Sequence, residues 1–275
     1  MTMRNLIVIG DSFAFPHPTS QFDLWPVQVG NYFQVDSVLN NSIEGCCQDW
    51  QMDMFDKQIK SGNLTKHDQL VFVLTSEHRF WYFENAPYLS NLSNYRYEAW
   101  RKFVPNRSIW DAGQNFASKI WRDAQALRLQ RHRLGEISYR CLELDLRKPI
   151  IIPAFINSIN AQEWPHLNIA HGCLTEDAQA LELKKTFNVT EVMRDLWKGM
   201  ECRFNHLCKI NHEILAKAVI ESIEKDKQLD LINVGFHKEI ITLDNYNDLN
   251  FAKENLCMVD FNTMLAGSKR AGSWS

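Results

Sequence analysis

No apolar run in this sequence approaches the roughly 20 residues that a membrane-spanning helix needs, so a soluble chain is expected. Nor is there the short apolar core of a secretory signal, because the first residues lead at once into what reads as a strand. The cysteines carry no pattern. Seven is an odd number, Cys46 and Cys47 are adjacent instead of spaced as Cys-x-x-Cys, and the nine histidines form no zinc-ligand series. These absences argue against a disulfide framework and a metal site, and an intracellular, cytoplasmic protein without a cofactor is the simplest expectation. A strong charge of either sign is also missing. The formal net charge is −3 with acidic and basic residues intermixed, which supplies no electrostatic reason to expect nucleic acid as a partner. With 45% hydrophobic residues over 275 positions, the chain can fill one large α/β core or two smaller ones.

What is present begins at Leu6-Ile7-Val8-Ile9-Gly10-Asp11-Ser12-Phe13. Four consecutive aliphatic residues without polar alternation predict a strand covered on both faces, as in a central parallel sheet. Ligands in such sheets bind beyond the carboxyl ends of the strands, so Asp11 and Ser12 fall where chemistry is expected. Taken alone, the Gly-Asp-Ser tripeptide reads equally well as a turn followed by a helix cap.

Strand and helix patterns then alternate. Residues 22–33 predict a helix on Leu24, Trp25, Val29, Tyr32 and Phe33, with Pro26 in its first turn. His17, in the loop before it, is a solvated residue or a pocket lining. A second strand over 35–39 leads into Asn40-Asn41-Ser42-Ile43-Glu44-Gly45, and residues 49–59 predict a helix burying Trp50, Met54, Phe55 and Ile59. The third strand, within 68–79, ends in Thr75-Ser76-Glu77-His78-Arg79, where Arg79 or His78 is either a cation for an anionic substrate group or an exposed loop charge. The aromatic-rich stretch 80–105 offers a stacking platform for a sugar or acyl chain, or a small helical lid. Helices over 110–133 and 137–146 and a strand over 148–155 complete an alternation that predicts a parallel α/β/α sandwich. The basic cluster at 128–133 reads as a solvated face.

Further on, Asn205-His206-Leu207 stands before an amphipathic helix carried by Leu207, Ile210, Ile214, Leu215, Ala218 and Ile223. His212, farther along it, reads as a core residue. Residues 226–275 form a C-terminal extension in which 229–234 and 239–243 suggest a hairpin split by Gly235.

Gly10-Asp11-Ser12 near the start and Asn205-His206-Leu207 before the last helix together make residues 1–225 resemble the SGNH, or GDSL, hydrolases. The resemblance implies a three-layer, flavodoxin-like α/β/α fold with a mainly parallel sheet, and an esterase or acylhydrolase acting on a small-molecule or carbohydrate ester. It implies Ser12 as nucleophile and His206 as base. Asn41 and Gly45 match the family's second block, whose glycine N–H binds the oxyanion together with the nucleophile's own N–H; a residue without a side chain lets the backbone approach the intermediate closely.

Two departures stand beside this match. The asparagine that ends the family's third strand is missing, and Thr75 and Ser76 are the hydroxyls available there. Arg203 occupies the place of the acid three residues before the histidine, and an arginine cannot orient an imidazole for proton transfer. Glu201 is the nearest carboxylate and could take that part; a backbone carbonyl could serve instead, leaving a Ser12–His206 dyad; or the site is degenerate. The alternative function is a non-catalytic binding protein for a carbohydrate or a protein partner.

Overall fold

In a computed structural model of the chain, residues 3–15, 23–43, 46–77, 79, 108, 111–112, 115, 123–155, 159–177, 181–183, 200–201, 207, 209–237, 239–241 and 257–258 are described. The chain divides into two units, one of Met1–Phe15 with Val35–Ala170 and one of Pro16–Gln34 with His171–Ser275.

The first unit holds a five-stranded sheet of β1 (Asn5–Gly10), β2 (Ser37–Ser42), β3 (Gln69–Leu74), β4 (Ile150–Pro153) and β5 (Asn168–Ile169) in the order β2-β1-β3-β4-β5, every pairing parallel. This is the expected α/β class, a parallel sheet with flanking helices, and the 2-1-3-4-5 order is the doubly wound, flavodoxin-like one. The aliphatic run of β1 is buried on both faces, as are the runs of β3 and β4. On one face Ile7, Ile9, Leu70, Phe72, Leu74 and Ile151 meet Phe55 of α2 (Gln48–Lys60) and Leu134, Ile137 and Cys141 of α3 (Asp123–Glu143). Phe55 and Phe72 meet edge to face at 5.5 Å between ring centroids, a favoured aromatic geometry.

The buried face of α2 corrects the expectation. Gln48, Gln51, Phe55 and Gln58 are fully buried, whereas Trp50, Met54 and Ile59 are half-buried. The stripe is rotated because the glutamine amides replace backbone partners past the end of β1. Gln51 Nε2 donates to the Val73 carbonyl at 2.7 Å and its Oε1 accepts from Thr75 N–H at 3.3 Å, as a neighbouring strand would. Gln48 Nε2 donates to the Thr75 carbonyl at 2.7 Å.

A second difference lies in α3, which runs unbroken from Asp123 to Glu143 where two helices, 110–133 and 137–146, were expected. Ala126, Gln130, Leu134, Ile137 and Cys141 form one continuous buried stripe. Gly135 lies inside the helix, against the Trp164 ring.

In the second unit, α1 (Trp25–Phe33) packs on α5 (Lys209–Lys225). Trp25 N–H donates to His212 Nδ1 at 3.3 Å, and Tyr32 Oη, on an exposed side chain, donates to Glu224 at 2.7 Å. The closing helix buries Asn211, His212, Leu215, Ala216, Ala218, Val219 and Ser222, and leaves Ile210 exposed. Among the described residues, the hairpin expected from 229–234 and 239–243 is not formed. β8 (Glu239–Ile241) pairs in parallel with β6 (Leu181–Leu183), and Asp230 bridges to His171. Gly235 takes a left-handed conformation, φ 79°, between the two segments, which suits a turn. A short α4 (Leu174–Asp177) and a pairing of β7 (Met200–Glu201) with β9 (Cys257–Met258) complete this unit's described elements. No helix among the described residues is long and apolar enough to cross a membrane. The aromatic stretch 80–105 and the helix expected over 189–197 lie outside the described residues.

Candidate functional site

The strand order reverses between β1 and β3, and this reversal point is where doubly wound sheets open a ligand crevice. Both carboxyl ends there carry polar residues. Gly10 closes β1, and a Cβ on it would stand 2.9 Å from Val73 Cβ and 3.0 Å from Ser42 Oγ, so the crossing of β1, β2 and β3 is too tight for a side chain. The Gly10 carbonyl accepts from Ile43 N–H at 3.1 Å and from Cys46 Sγ at 3.4 Å, which binds the loop after β2 to the end of β1.

The chain then turns. The Asp11 carbonyl accepts from the N–H groups of Ala14 and Phe15, both at 3.1 Å, and Asp11 Oδ1 accepts from Phe13 N–H at 3.1 Å. Ser12 stands in this turn half-exposed, with Asp11, Phe13 and Ala14 buried around it. The arrangement is an Asx-type turn that presents one hydroxyl at the carboxyl end of a central strand.

Asp11 itself is wholly buried. Its Oδ2 makes no hydrogen bond and faces Arg79 Nη1 at 3.6 Å. Burial pushes the carboxyl pKa up, opposed first by the Arg79 charge and then by the Phe13 N–H and the Thr75 hydroxyl, and the net shift is upward. Thr75 is buried with its Oγ1 lacking a hydrogen bond of good geometry, and the buried Ser42 Oγ likewise has no hydrogen-bond partner among the described residues. Three buried polar oxygens without a well-formed hydrogen bond among the described residues thus lie at the ends of β1, β2 and β3, where a folded core ordinarily satisfies such groups.

Arg79 follows a turn closed by its own N–H to the Ser76 carbonyl at 3.2 Å. Its Nη1 donates to the Cys46 carbonyl at 3.2 Å, and the guanidinium lies over the Phe155 ring at 4.5 Å, a cation–π distance. Phe155 in turn meets Phe13, next to Ser12, edge to face at 6.2 Å. Arg79 is therefore a fixed, mostly buried cation, not an exposed loop charge.

Cys46, the other nucleophilic atom here, is held protonated. Burial first, and then the Asp11 charge, raise its pKa well above the ordinary thiol value. Burial also raises the neighbouring Cys47 thiol. Ser12 remains the accessible nucleophile at this strand end.

The structure brings Asp11, Ser12, Thr75 and Ser76 to neighbouring strand ends. Asn41 is on β2 opposite Ile9, its Nδ2 donating to the Leu39 carbonyl at 3.3 Å and its Oδ1 accepting from Gln58 Nε2 at 3.3 Å. Asn40, which the sequence reading passed over, reaches the nucleophile turn: its Nδ2 donates to the Ala14 carbonyl at 2.6 Å. Strand parity is the signal that separates the two, since residues 40 and 41 of an extended strand point to opposite faces. Gly45, His206 and Arg203 lie outside the described residues. Glu201 is placed in β7 by its backbone, and its side chain lies outside the description. Among the described residues no group of three or more His, Cys, Asp or Glu side chains is arranged to hold a metal ion.

No protein-family profile matches the chain, and no curated protein does. Among solved structures it is similar to a candidate lipolytic protein of the G-D-S-L family from Desulfitobacterium hafniense DCB-2, at 14% identity and a TM-score of 0.30, over 54% of this chain and 59% of that one. The chain thus spans about three-fifths of that structure's length. A likeness this distant carries no argument about the site.

Proposed function

We propose that this chain is a serine ester hydrolase that works through an acyl-serine intermediate. The observation that carries the reading is Ser12 itself, a half-exposed hydroxyl on a tight turn at the carboxyl end of a central parallel strand, beside the point where strand order reverses. His206 is the base that the sequence offers. It takes the Ser12 proton as Oγ attacks the ester carbonyl, then returns it to the leaving alcohol, and water repeats the cycle on the acyl-serine. The backbone N–H groups of Ser12 and Gly45 stabilise the oxyanion, with Thr75 or Ser76 as a third donor; Asn41 supports the Gly45 loop and Asp11 shapes the turn. Glu201 holds the imidazole in the useful tautomer. The catalytic part is residues 1–225, with 226–275 as an extension, and the substrate is a small-molecule or carbohydrate ester.

The test is labelling by a fluorophosphonate probe together with hydrolysis of a short-chain aryl ester by the parent, Ser12→Ala, His206→Ala and Glu201→Gln proteins. Labelling at Ser12 and loss of hydrolysis in the first two variants is the expected result. A drop of about 10⁴-fold in Glu201→Gln marks a triad, as for the corresponding acid-to-amide change in a serine protease. Parent-like activity in Glu201→Gln marks a dyad. The second reading, a non-catalytic binding protein, is favoured by Arg203 standing where an acid is needed. A parent that neither labels nor hydrolyses decides for it.

A further inference from the structure

Arg79 carries more bonding capacity than the protein uses. A guanidinium has five N–H donors in a rigid fork. Among the described residues one hydrogen bond engages it, from Nη1 to the Cys46 carbonyl at 3.2 Å, and Nε and Nη2 donate to no described residue. The Asp11 carboxylate at 3.6 Å is too far for a good hydrogen bond and is a through-space charge partner. Yet the side chain is only 15% exposed, and its plane is fixed from below by the Phe155 ring. Ordering a long cation and removing it from water is costly, and its bonds to described residues return little of that cost. The underused donors belong to a group fixed in position at the reversal point between β1 and β3, and its charge partner, Asp11, immediately precedes Ser12.

Planar forks of this kind match oxygen anions, which accept two parallel N–H bonds. We propose that Arg79 is the specificity residue of this site and binds an anionic oxygen group, a carboxylate or a phosphate, carried by the substrate. The assignment rests on the esterase reading for what the anion is attached to, but binding of the anion by Arg79 does not depend on turnover. Asp11 has a part in it: the buried carboxylate holds the guanidinium electrostatically without occupying its fork. Chain geometry limits the separation. From the Ser12 Cα through Asp11 to Nη1 is at most about 11 Å along adjacent atoms, so one small substrate can reach both Ser12 and Arg79.

Two measurements test this on the full chain. The first is calorimetric binding of succinate and, separately, of inorganic phosphate to the parent, Arg79→Met and Arg79→Lys, with modification of Arg79 by phenylglyoxal followed by mass spectrometry in the presence and absence of each anion. Saturable millimolar binding by the parent, protection of Arg79, a loss of about 10- to 100-fold in Arg79→Met and an intermediate loss in Arg79→Lys are expected. The preferred anion tells a carboxylate site from a phosphate site. Protection needs no variant, so it decides even if Arg79→Met does not fold. Absence of saturable binding of both anions, or binding without protection of Arg79, overturns the proposal. The second compares hydrolysis of the 4-nitrophenyl monoester of succinate with that of 4-nitrophenyl butyrate. The expected effect of Arg79→Met is a KM raised about 10- to 100-fold for the anionic ester, with no such rise in KM for the neutral ester. A fall in kcat on both esters instead makes Arg79 an oxyanion donor and overturns its role in specificity. A parent that binds and protects but hydrolyses neither ester upholds the anion site and removes the esterase reading.

Discussion

Lowering the pH should destabilise the second unit through His212 before most carboxylates begin to titrate. His212 is 6% exposed in α5, and its Nδ1 accepts the buried Trp25 N–H that opens α1, so the neutral ring is a structural part of the α1–α5 contact. Burial lowers its pKa from 6.5 to about 3. Between those values the unfolded chain holds a proton that the folded chain refuses, so stability rises with pH there. The contribution is fully present above pH 6.5 and is lost progressively as the pH falls toward 3. At about 1.4 kcal/mol per pH unit, the whole interval is worth about 5 kcal/mol, comparable with the entire stability of a modest domain, so the unit should unfold before the full loss is reached. The assay is urea unfolding, followed by tryptophan fluorescence, at intervals from about pH 7 to pH 4.5, for the parent and for His212→Asn. Asparagine places Oδ1 where Nδ1 stands, so it still accepts the Trp25 N–H while removing the titration. Its smaller volume shifts the curve by a constant. The difference between the two curves should fall by about 2–3 kcal/mol from pH 6.5 to pH 4.5. Parallel curves, or a His212 imidazole that titrates near 6.5 by NMR in the folded protein, would refute the reasoning.

Other perturbations have outcomes set by contacts at the strand ends. Gly10→Ala forces a Cβ to within 2.9 Å of Val73 Cβ, which is backbone-fixed, and should lower unfolding free energy by about 1–3 kcal/mol in a denaturant titration. Gln51→Leu keeps the volume but leaves the Val73 carbonyl and Thr75 N–H without their amide partner; a loss of about 1–3 kcal/mol is expected, with faster hydrogen exchange at Thr75. The Asp68 carboxylate accepts from Arg4, from the backbone N–H of Asn5 and from the Thr65 N–H and hydroxyl. Burial raises its pKa but is outweighed by the hydrogen bonds from Arg4 and Thr65, so the net shift is downward. Its stabilisation is therefore present above about pH 4 and lost below it, and Asp68→Asn should cost about 2–3 kcal/mol at neutral pH, measured by thermal or urea unfolding.

The parts of the fold that were legible are those in which one physical demand acts alone. Leu6-Ile7-Val8-Ile9 and Leu70-Val71-Phe72-Val73 are apolar on both sides because both faces of a parallel sheet are covered, and no helix competes for so short a run. Gly10-Asp11-Ser12 was legible as a turn at a strand end, since the glycine and the Asx side chain point the same way. Where two demands compete, the pattern misleads. The α2 face was read from Trp50, Met54, Phe55 and Ile59; Phe55 is buried as read, yet Gln48, Gln51 and Gln58 join it in place of the other three, because an orphaned strand edge claims the amides of Gln48 and Gln51. Helices were read over 110–133 and 137–146, but the described residues 123–143 form one helix, because its buried stripe continues through residues 134–137. β5, two residues long, leaves no periodic trace at all.

Arg79 shows why site chemistry is harder to read than fold. A charged residue five positions after a strand has no periodicity to report on its surroundings, and most such residues are solvated. Its burial is decided by partners from three distant segments, Asp11 after β1, Cys46 after β2 and Phe155 after β4, together with the Ser76 carbonyl of its own turn. Convergence of that kind is produced by the parallel topology, which brings every strand's carboxyl end to the same edge of the sheet regardless of sequence distance. The same reasoning separates Asn40 from Asn41. The motif-like spacing draws attention to Asn41, but the register of β2 on β1 turns Asn40 toward Ala14, and only the paired strand fixes that parity. Residues that act through the sheet's edge are thus recoverable from sequence once strand order and register are known, and the turn after β1, the loop after β2 and the turn after β3 are the segments in which to look for them.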